Sequence, residues 1–493
     1  MYFLKSKFIK QNFWRTMIVV VLCTMVSCGN DDKKDERITP WNPSQPSKLT
    51  SFYPDDGKFQ EKVMLNGDNL PTDVENVRVY FNQRRAPVIG STGKRLYVMA
   101  PRLPGNAPGV EAPAQGKGYC VISVVTLDPV SGAVKDSIWY DYSVSGALVT
   151  GMFLYQESIT VTTIAGNGSQ TDFQEGSLST AILQPKYICC DNEGNIFISN
   201  WRDDDNRDYC YFCRLNEEEN TFTRLSTTRG EVNIPAADPI TGIVSVATEA
   251  TIGSFTTANP DEYWAPRRRE MKFQNGQPGP YGWKHCMVVN PTDGFLYVRW
   301  YHGPIVKIDQ TTYESWIICN TVQGDSYGLT FRPQEPNILY MSFRDGAQEF
   351  ARSIVSVDVS AGKEFEDVDP NYAEGGPARE AVQATLQRRS SPAIGGGHRD
   401  GPLEVAQFGS LGQIFCDQDG FIYVADRDNH CIRRITPENQ VETVLGMPGT
   451  PGWRDGTRDE ALFRRPMGVA ISPDGTVYIA DCGNSRLRKL SIN

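Results

Sequence analysis

The chain has 493 residues, enough for two to four domains of ordinary size. A hydrophobic content of 40% with 11% aromatic is that of a globular protein, and the Tyr, Phe and Trp load suits strands and stacking surfaces. The formal net charge of −10 argues against a nucleic-acid partner, because a phosphate backbone needs a basic face.

The first residues read as an export signal. Lys5, Lys7, Lys10 and Arg15 make a basic start, and Met17 to Val26 is an apolar run too short to span a bilayer. Met25-Val26-Ser27-Cys28 places a small residue before a cysteine and resembles a lipobox, which implies a signal peptide over 1–27 and lipidation of Cys28. Residues 28–46 are charged, then rich in Pro and Ser. Such a segment cannot bury a core and is expected to be a flexible tether. The acidic run after Cys28 resembles the signal that sends lipoproteins to the outer face of the outer membrane in some Gram-negative bacteria. That resemblance implies a lipid-anchored protein of the outer membrane facing the cell exterior, meeting the membrane through its anchor only.

From Ser47 to Ser145 short alternating strands follow one another between turns. They include Lys62-Val-Met-Leu-Asn-Gly-Asp-Asn-Leu70, Val77-Arg-Val-Tyr-Phe81, Leu96-Tyr-Val-Met-Ala-Pro101 and Tyr119-Cys-Val-Ile-Ser-Val-Val125. The spacing predicts a small β-sandwich. The Pro/Gly turn at Pro54 to Gly57, the Leu65-Asn-Gly-Asp-Asn-Leu70 element and the Pro101 to Gly105 turn make this segment resemble the immunoglobulin-like IPT/TIG domain. The domain is expected over 47–147, and the resemblance implies a spacer.

Beyond residue 155 the chain repeats itself. Asn195-Ile-Phe-Ile-Ser-Asn200, Gly420-Phe-Ile-Tyr-Val-Ala-Asp426 and Gly475-Thr-Val-Tyr-Ile-Ala-Asp481 share one strand pattern, each after an acidic or Gly turn. Weaker copies are Thr241 to Ala247, Asp293-Gly-Phe-Leu-Tyr-Val298 and Asn337-Ile-Leu-Tyr-Met341. Repeats of short strands mean a propeller. Asp426-Arg-Asp-Asn-His-Cys-Ile-Arg-Arg-Ile435 and Asp481-Cys-Gly-Asn-Ser-Arg-Leu-Arg-Lys-Leu490 resemble the NHL signature. The expected fold is all-β: an immunoglobulin-like β-sandwich followed by a six-bladed NHL-type β-propeller over 155–493. The last copy lacks an outer strand, and Ile159 to Ala165 is expected to supply it and close the ring.

Cys210-Tyr-Phe-Cys213 has C-x-x-C spacing but lies in a strand-like run, where side chains three apart face opposite ways; buried thiols are the expectation. The four histidines, His285, His302, His398 and His430, sit in different repeats without metal-ligand spacing. No metal, cofactor or catalytic residue is assigned. Candidate ligand-binding residues are those on the loops after the second strand of each copy and on the long connections between copies. They are Trp201, Arg202, Trp300, Tyr301, His302, Arg344, Arg427, His430 and Trp453. Aromatic rings beside planar polar groups suit sugar recognition, and Trp201, Trp300, Tyr301 and Trp453 read as departures from the repeat. Asp426, Asp481, Arg433 and Arg486 read as scaffold. Gly375 to Leu386 reads as an inserted short helix, a lid or a connector. Trp264 and Arg267-Arg-Arg269 form a basic cluster in an acidic chain.

Tandem IPT/TIG and propeller lipoproteins resemble auxiliary components of bacterial polysaccharide-uptake systems. The resemblance implies a non-catalytic surface protein that captures a glycan or other extracellular ligand, with outer-membrane uptake components as possible partners. Two alternatives stay open: a metal-dependent propeller lyase or hydrolase, and a protein-interaction scaffold.

Overall fold

The computed structural model describes residues 38–492 apart from positions 103, 112–116, 146–147, 157–158, 201–209, 229–231, 249–252, 274–278, 281, 345–349, 361–385 and 392–395. Cys28, Trp201 and Arg202 therefore lie outside the described residues, as does most of the expected inserted helix.

Period-two alternation builds the N-terminal domain. Val63 and Leu65 in Lys62–Asp68, and Val77, Val79 and Phe81 in Val77–Phe81, turn inward while their neighbours stay out. One sheet runs Lys48–Tyr53, Lys62–Asp68, Arg95–Met99, Val88–Ser91; the other runs Val134–Trp139, Ile122–Leu127, Val77–Phe81, Arg84–Ala86. The inward faces share one apolar core, which also takes Phe153 and Tyr155 from the strand Phe153–Gln156. The segment expected as tether is seated on this sandwich where it is described. The Thr39 amide donates to the Thr92 carbonyl at 2.9 Å, and the Asn69 side chain bonds the carbonyls of Asn42 and Gln45.

The rest of the chain forms sheets built on four antiparallel strands, called blades in chain order, and the third, fifth and sixth each gain a two-residue edge strand, Lys272–Phe273, Gly401–Pro402 and Gly456–Thr457. Their innermost strands are Pro185–Cys190, Val232–Ala237, Lys284–Val289, Ser326–Arg332, Leu411–Cys416 and Gly468–Ile471. Each packs against the next, and the last returns to the first, so the sheets surround a central channel. The outer strand of blade 6 comes from the start of the domain. Ile159–Ala165 pairs antiparallel with Arg486–Ile492, from Ile159 opposite Ile492 to Ala165 opposite Leu487. All ten cysteines among the described residues are thiols, Cys210 and Cys213 included, and both of these are buried.

Two blades are locked by the same buried device. In blade 5 the Asp426 carboxylate meets Arg433 at 3.0 Å, accepts from the Gly409 amide and receives the Asn429 side chain. In blade 6 Asp481 meets Arg488 at 2.8 Å, accepts from the Arg464 amide and receives Asn484. A second carboxylate ties in the outer strand of each blade: Asp400 accepts from the Thr443 amide, Asp455 from the Thr163 amide, and Glu175 from Arg224 in blade 1. These acids serve the scaffold, as expected for Asp426, Asp481 and Arg433.

The sandwich docks on the propeller face formed by the turns between the first and second strands of the blades. Arg84 is buried there: it pairs with Asp417 and Asp419, donates to the Tyr423 hydroxyl at 2.7 Å and lies 3.8 Å over the Phe421 ring. Arg102 lies over Phe59 beside the Gly475 turn of blade 6. A cavity of about 810 Å³ remains between the domains and opens into the channel beside Cys189, Ile234 and Leu329. One face of the propeller is thus covered by its own chain, and the opposite face is the one that presents loops.

Candidate functional site

The uncovered face holds the starts of the innermost strands, because Leu411 pairs with Asp426 and Lys284 with Trp300 at the loop ends of the second strands. At this end aromatic rings converge on the channel. Tyr187 of blade 1 and Tyr327 of blade 4 come from opposite sides of the ring, yet their rings stack at 5.6 Å and 10°. They bridge the channel. His285 of blade 3 stacks on Tyr327 at 4.5 Å and 12°, and the Arg344 guanidinium lies 4.3 Å over the same ring. Outward from His285 the run continues through Tyr301 at 5.4 Å to Trp283 at 5.4 Å, with His302 against Tyr301 at 5.2 Å. Trp283 ends the run, 48% exposed.

Backbone bonds hold these loops together. The Tyr301 amide donates to the Trp283 carbonyl at 2.8 Å, and the Gly324 amide donates to the Tyr301 carbonyl at 3.0 Å. Gly282 has a left-handed φ of 104°, and a Cβ there would meet the His302 ring at 2.7 Å. The close approach of His302 to the Trp283 loop therefore requires glycine.

Two arginines, Arg299 and Arg344, lie at the mouth with the Asp325 carboxylate acting on both. Arg299 is fully buried there, donating to the carbonyls of Val322 and Gly324, and burial pulls its pKa down to about 10. The Nδ1 of His285 is buried without a hydrogen-bond partner among the described residues. Burial first, then repulsion from Arg299, Arg344 and His302, holds its pKa at about 3 against an ordinary 6.5. The folded protein keeps this ring neutral, whereas the unfolded chain takes up a proton below about pH 6.5. A histidine depressed in this way contributes stability that is complete above 6.5 and lost as pH falls through 6.5 towards 3. The expected result is that wild type loses up to about 1.4 kcal/mol per pH unit more than His285→Phe between those values. Denaturant titrations from neutral pH to about pH 5 measure this, and parallel curves would refute it.

Of the candidates read from the sequence, Tyr301, His302 and Arg344 meet at this mouth. Trp300 does not. It is fully buried, packed with Val306, and occupies the register position of Asp426, the last residue of its blade's second strand. Phe343 holds the same place in blade 4, facing Val355. Apolar packing thus replaces the Asp–Arg lock in these blades, and Trp300 is core. Trp453 does not depart from the repeat either. It stands where blade 5 has His398, two residues before the strand-tying acid, and like His398 it bonds a threonine of the outer strand, Thr163 at 3.3 Å against Thr443 at 2.8 Å. It is 53% exposed on the outer rim, with Arg486 stacked on it at 3.8 Å. Arg427 and His430 lie on the blade 5 loop. Arg427 pairs with Asp428, and the His430 Nδ1 accepts from the Arg465 amide. Their bonds run to blades 5 and 6, not to the aromatic run.

Sequence reading missed Trp283, His285, Tyr187 and Tyr327. A signal was present: Trp283-Lys-His285 leads into the innermost strand Lys284–Val289 with two rings in three residues. The basic cluster of blade 2 is absorbed locally. Arg267 pairs with Glu262, Arg268 with Glu270, and Trp264 packs on Phe197.

The channel is plugged by stacked rings and capped on one face by the sandwich, and on the other face the run of rings ends at the half-exposed Trp283. Known proteins agree on the parts of this fold. Residues 47–134 match the IPT/TIG domain and residues 463–490 match the NHL repeat. The chain therefore carries an IPT/TIG domain followed by an NHL-type β-propeller. Curated relatives match over short stretches only. Protein SUPPRESSOR OF QUENCHING 1, chloroplastic, of Arabidopsis thaliana is 34% identical over 80 residues, covering 16% of this chain and 8% of that one. NHL repeat-containing protein 2 of Homo sapiens is 33% identical over 82 residues, 16% of this chain and 11% of that one. Solved structures match nearly throughout. A protein of unknown function from Bacteroides thetaiotaomicron has a TM-score of 0.64 at 21% identity, covering 92% of this chain and all of that one. An auxiliary nutrient binding protein from Bacteroides ovatus has a TM-score of 0.53 at 20% identity, over 92% of this chain and 100% of that one. Another from B. thetaiotaomicron has 0.53 at 18%, over 92% and 99%. At these identities the likeness establishes the fold.

Proposed function

We propose that the protein is a non-catalytic surface lipoprotein, anchored through Cys28 in the outer membrane and facing the exterior, that captures a glycan at the propeller mouth. The observation that carries this reading is the unbroken ring-to-ring run Trp283–Tyr301–His285–Tyr327, with Arg344 against its inner end, on the face that the IPT/TIG domain leaves open. Rings offer flat faces to sugar C–H groups, and guanidinium and imidazole groups bond hydroxyls. Solved proteins of this fold described as auxiliary nutrient binding proteins support a capture role; uptake components of the outer membrane are the partners proposed with it.

Trp283 is half exposed, so its truncation should spare the fold. The expected result is that Trp283→Ala and Tyr301→Ala each weaken binding by about 2 kcal/mol, roughly thirtyfold, in affinity electrophoresis through polysaccharide gels. Unchanged retardation in both variants overturns the site. The lyase or hydrolase alternative needs converging metal ligands. His285 and His302 share the mouth, but among the described residues no three His, Cys, Asp or Glu side chains are placed to hold a metal.

A further inference from the structure

The IPT/TIG domain carries an aromatic cleft that its docking on the propeller does not use. At the end of Val134–Trp139, Ile138 packs on the sandwich core and the next residue, Trp139, turns outward. The register sets Trp139 opposite Ser123, whose neighbours Ile122 and Val124 face inward, so Trp139 and Ser123 share the outer face. The turn after Val77–Phe81 brings Asn82 and Gln83 to the same place, and the chain after Trp139 brings Tyr142. Together with Pro108 and Val121 these residues line a cleft of about 390 Å³. Trp139 is 61% exposed and Tyr142 50% exposed.

We infer that this cleft is a second saccharide-binding site, selective for neutral sugar chains. Among the described residues no charged side chain lines it, although 22% of the chain is charged. That composition suits neither a phosphate nor a uronate. Asn82 is committed to the fold, bonding the carbonyls of Pro104 and Gly105 and the Val121 amide. The Gln83 amide and the Ser123 hydroxyl are left to supply donors and acceptors beside two exposed rings. A few polar groups among aromatics is the general chemistry of a small-ligand site, and amide and hydroxyl groups match the paired donors and acceptors of sugar hydroxyls. The inference shares with the proposed function the premise that the ligand is a saccharide, but it rests on a different domain and different residues.

The test uses the full chain in affinity electrophoresis through galactomannan, xyloglucan and dextran gels, with polygalacturonate as the acidic comparison. Wild type, Trp139→Ala/Tyr142→Ala and Trp283→Ala run side by side, and thermal melting checks that each variant is folded. The expected result is that a neutral polysaccharide retards wild type and that Trp139→Ala/Tyr142→Ala binds it about tenfold more weakly with unchanged melting. Three results overturn the inference: no neutral gel retards wild type, the double variant matches wild type on every neutral gel, or it loses only polygalacturonate binding. Loss confined to Trp283→Ala sinks this cleft and spares the propeller mouth. Loss confined to the double variant does the reverse.

Discussion

Removal of Ile159–Ala165 is expected to abolish cooperative unfolding of the propeller, although the segment is a small fraction of the domain. The strand closes blade 6: it pairs along its length with Arg486–Ile492 and places Ile159 and Val161 in the core shared by blades 5 and 6. Without it Arg486–Ile492 becomes an open edge with unpaired amides and carbonyls. The contacts are also long-range, so a ring that fails to close loses packing in more than one blade. Val161→Asp tests the same point without shortening the connection to the IPT/TIG domain. Val161 is fully buried, and an unpaired carboxylate there costs about 4 kcal/mol or more. Calorimetry on the full chain should show the propeller transition lost in the deletion and strongly lowered in Val161→Asp. Melting like that of wild type in both variants would show that the ring does not depend on this strand.

The strands and turns were legible because both are local. Short runs of β-branched and aromatic residues mark Ile422–Asp426 and Val477–Asp481, and the turns before them need Gly420 and Gly475 at left-handed φ, 90° and 83°. Aligning the copies one residue further would also have placed Trp300 correctly. Gly-Phe-Leu-Tyr-Val-Arg-Trp300 lies on Gly-Phe-Ile-Tyr-Val-Ala-Asp426 without a gap, and the strand register puts both at the end of the second strand. The mouth was not legible. Tyr187 and Tyr327 sit in runs that read as buried strand, and their stacking depends on ring closure between blades far apart in sequence. The docking of the IPT/TIG domain is as remote: Arg84 meets Asp417 across 333 positions. A guanidinium in a sandwich strand looks like a surface residue until its partner is known.

The buried Asp–Arg locks make a second prediction with a large effect, and the molecule supplies its own control. Blades 5 and 6 use Asp426–Arg433 and Asp481–Arg488; blades 3 and 4 use Trp300–Val306 and Phe343–Val355 at the same register. Breaking a buried pair leaves a charge without its partner, at a cost of about 3–5 kcal/mol, whereas replacing both members by apolar groups is often neutral. Arg488→Val, which strips the buried Asp481 of its partner, is expected to destabilise by that amount; Asp481→Phe leaves Arg488 its second carboxylate, Asp455 at 2.7 Å, and is expected to cost less; the double variant is expected to recover most of the larger loss, so that the coupling reaches about 2 kcal/mol or more. The volumes favour this, since the shorter valine leaves room for the larger ring. Electrostatics favours it too: burial pushes the Asp481 carboxyl up to about 6 even with Arg488 at 2.8 Å, so desolvation outweighs attraction. A carboxyl raised from 3.8 to about 6 contributes stability that is complete below 3.8 and lost as pH rises through 6. Wild type should therefore gain on the double variant as pH falls from neutral towards 4. Denaturant titrations of the four proteins measure both effects. If the double variant is as unstable as the two single losses combined, the lock is required in blade 6, and Trp300 and Phe343 are solutions that only blades 3 and 4 can accommodate.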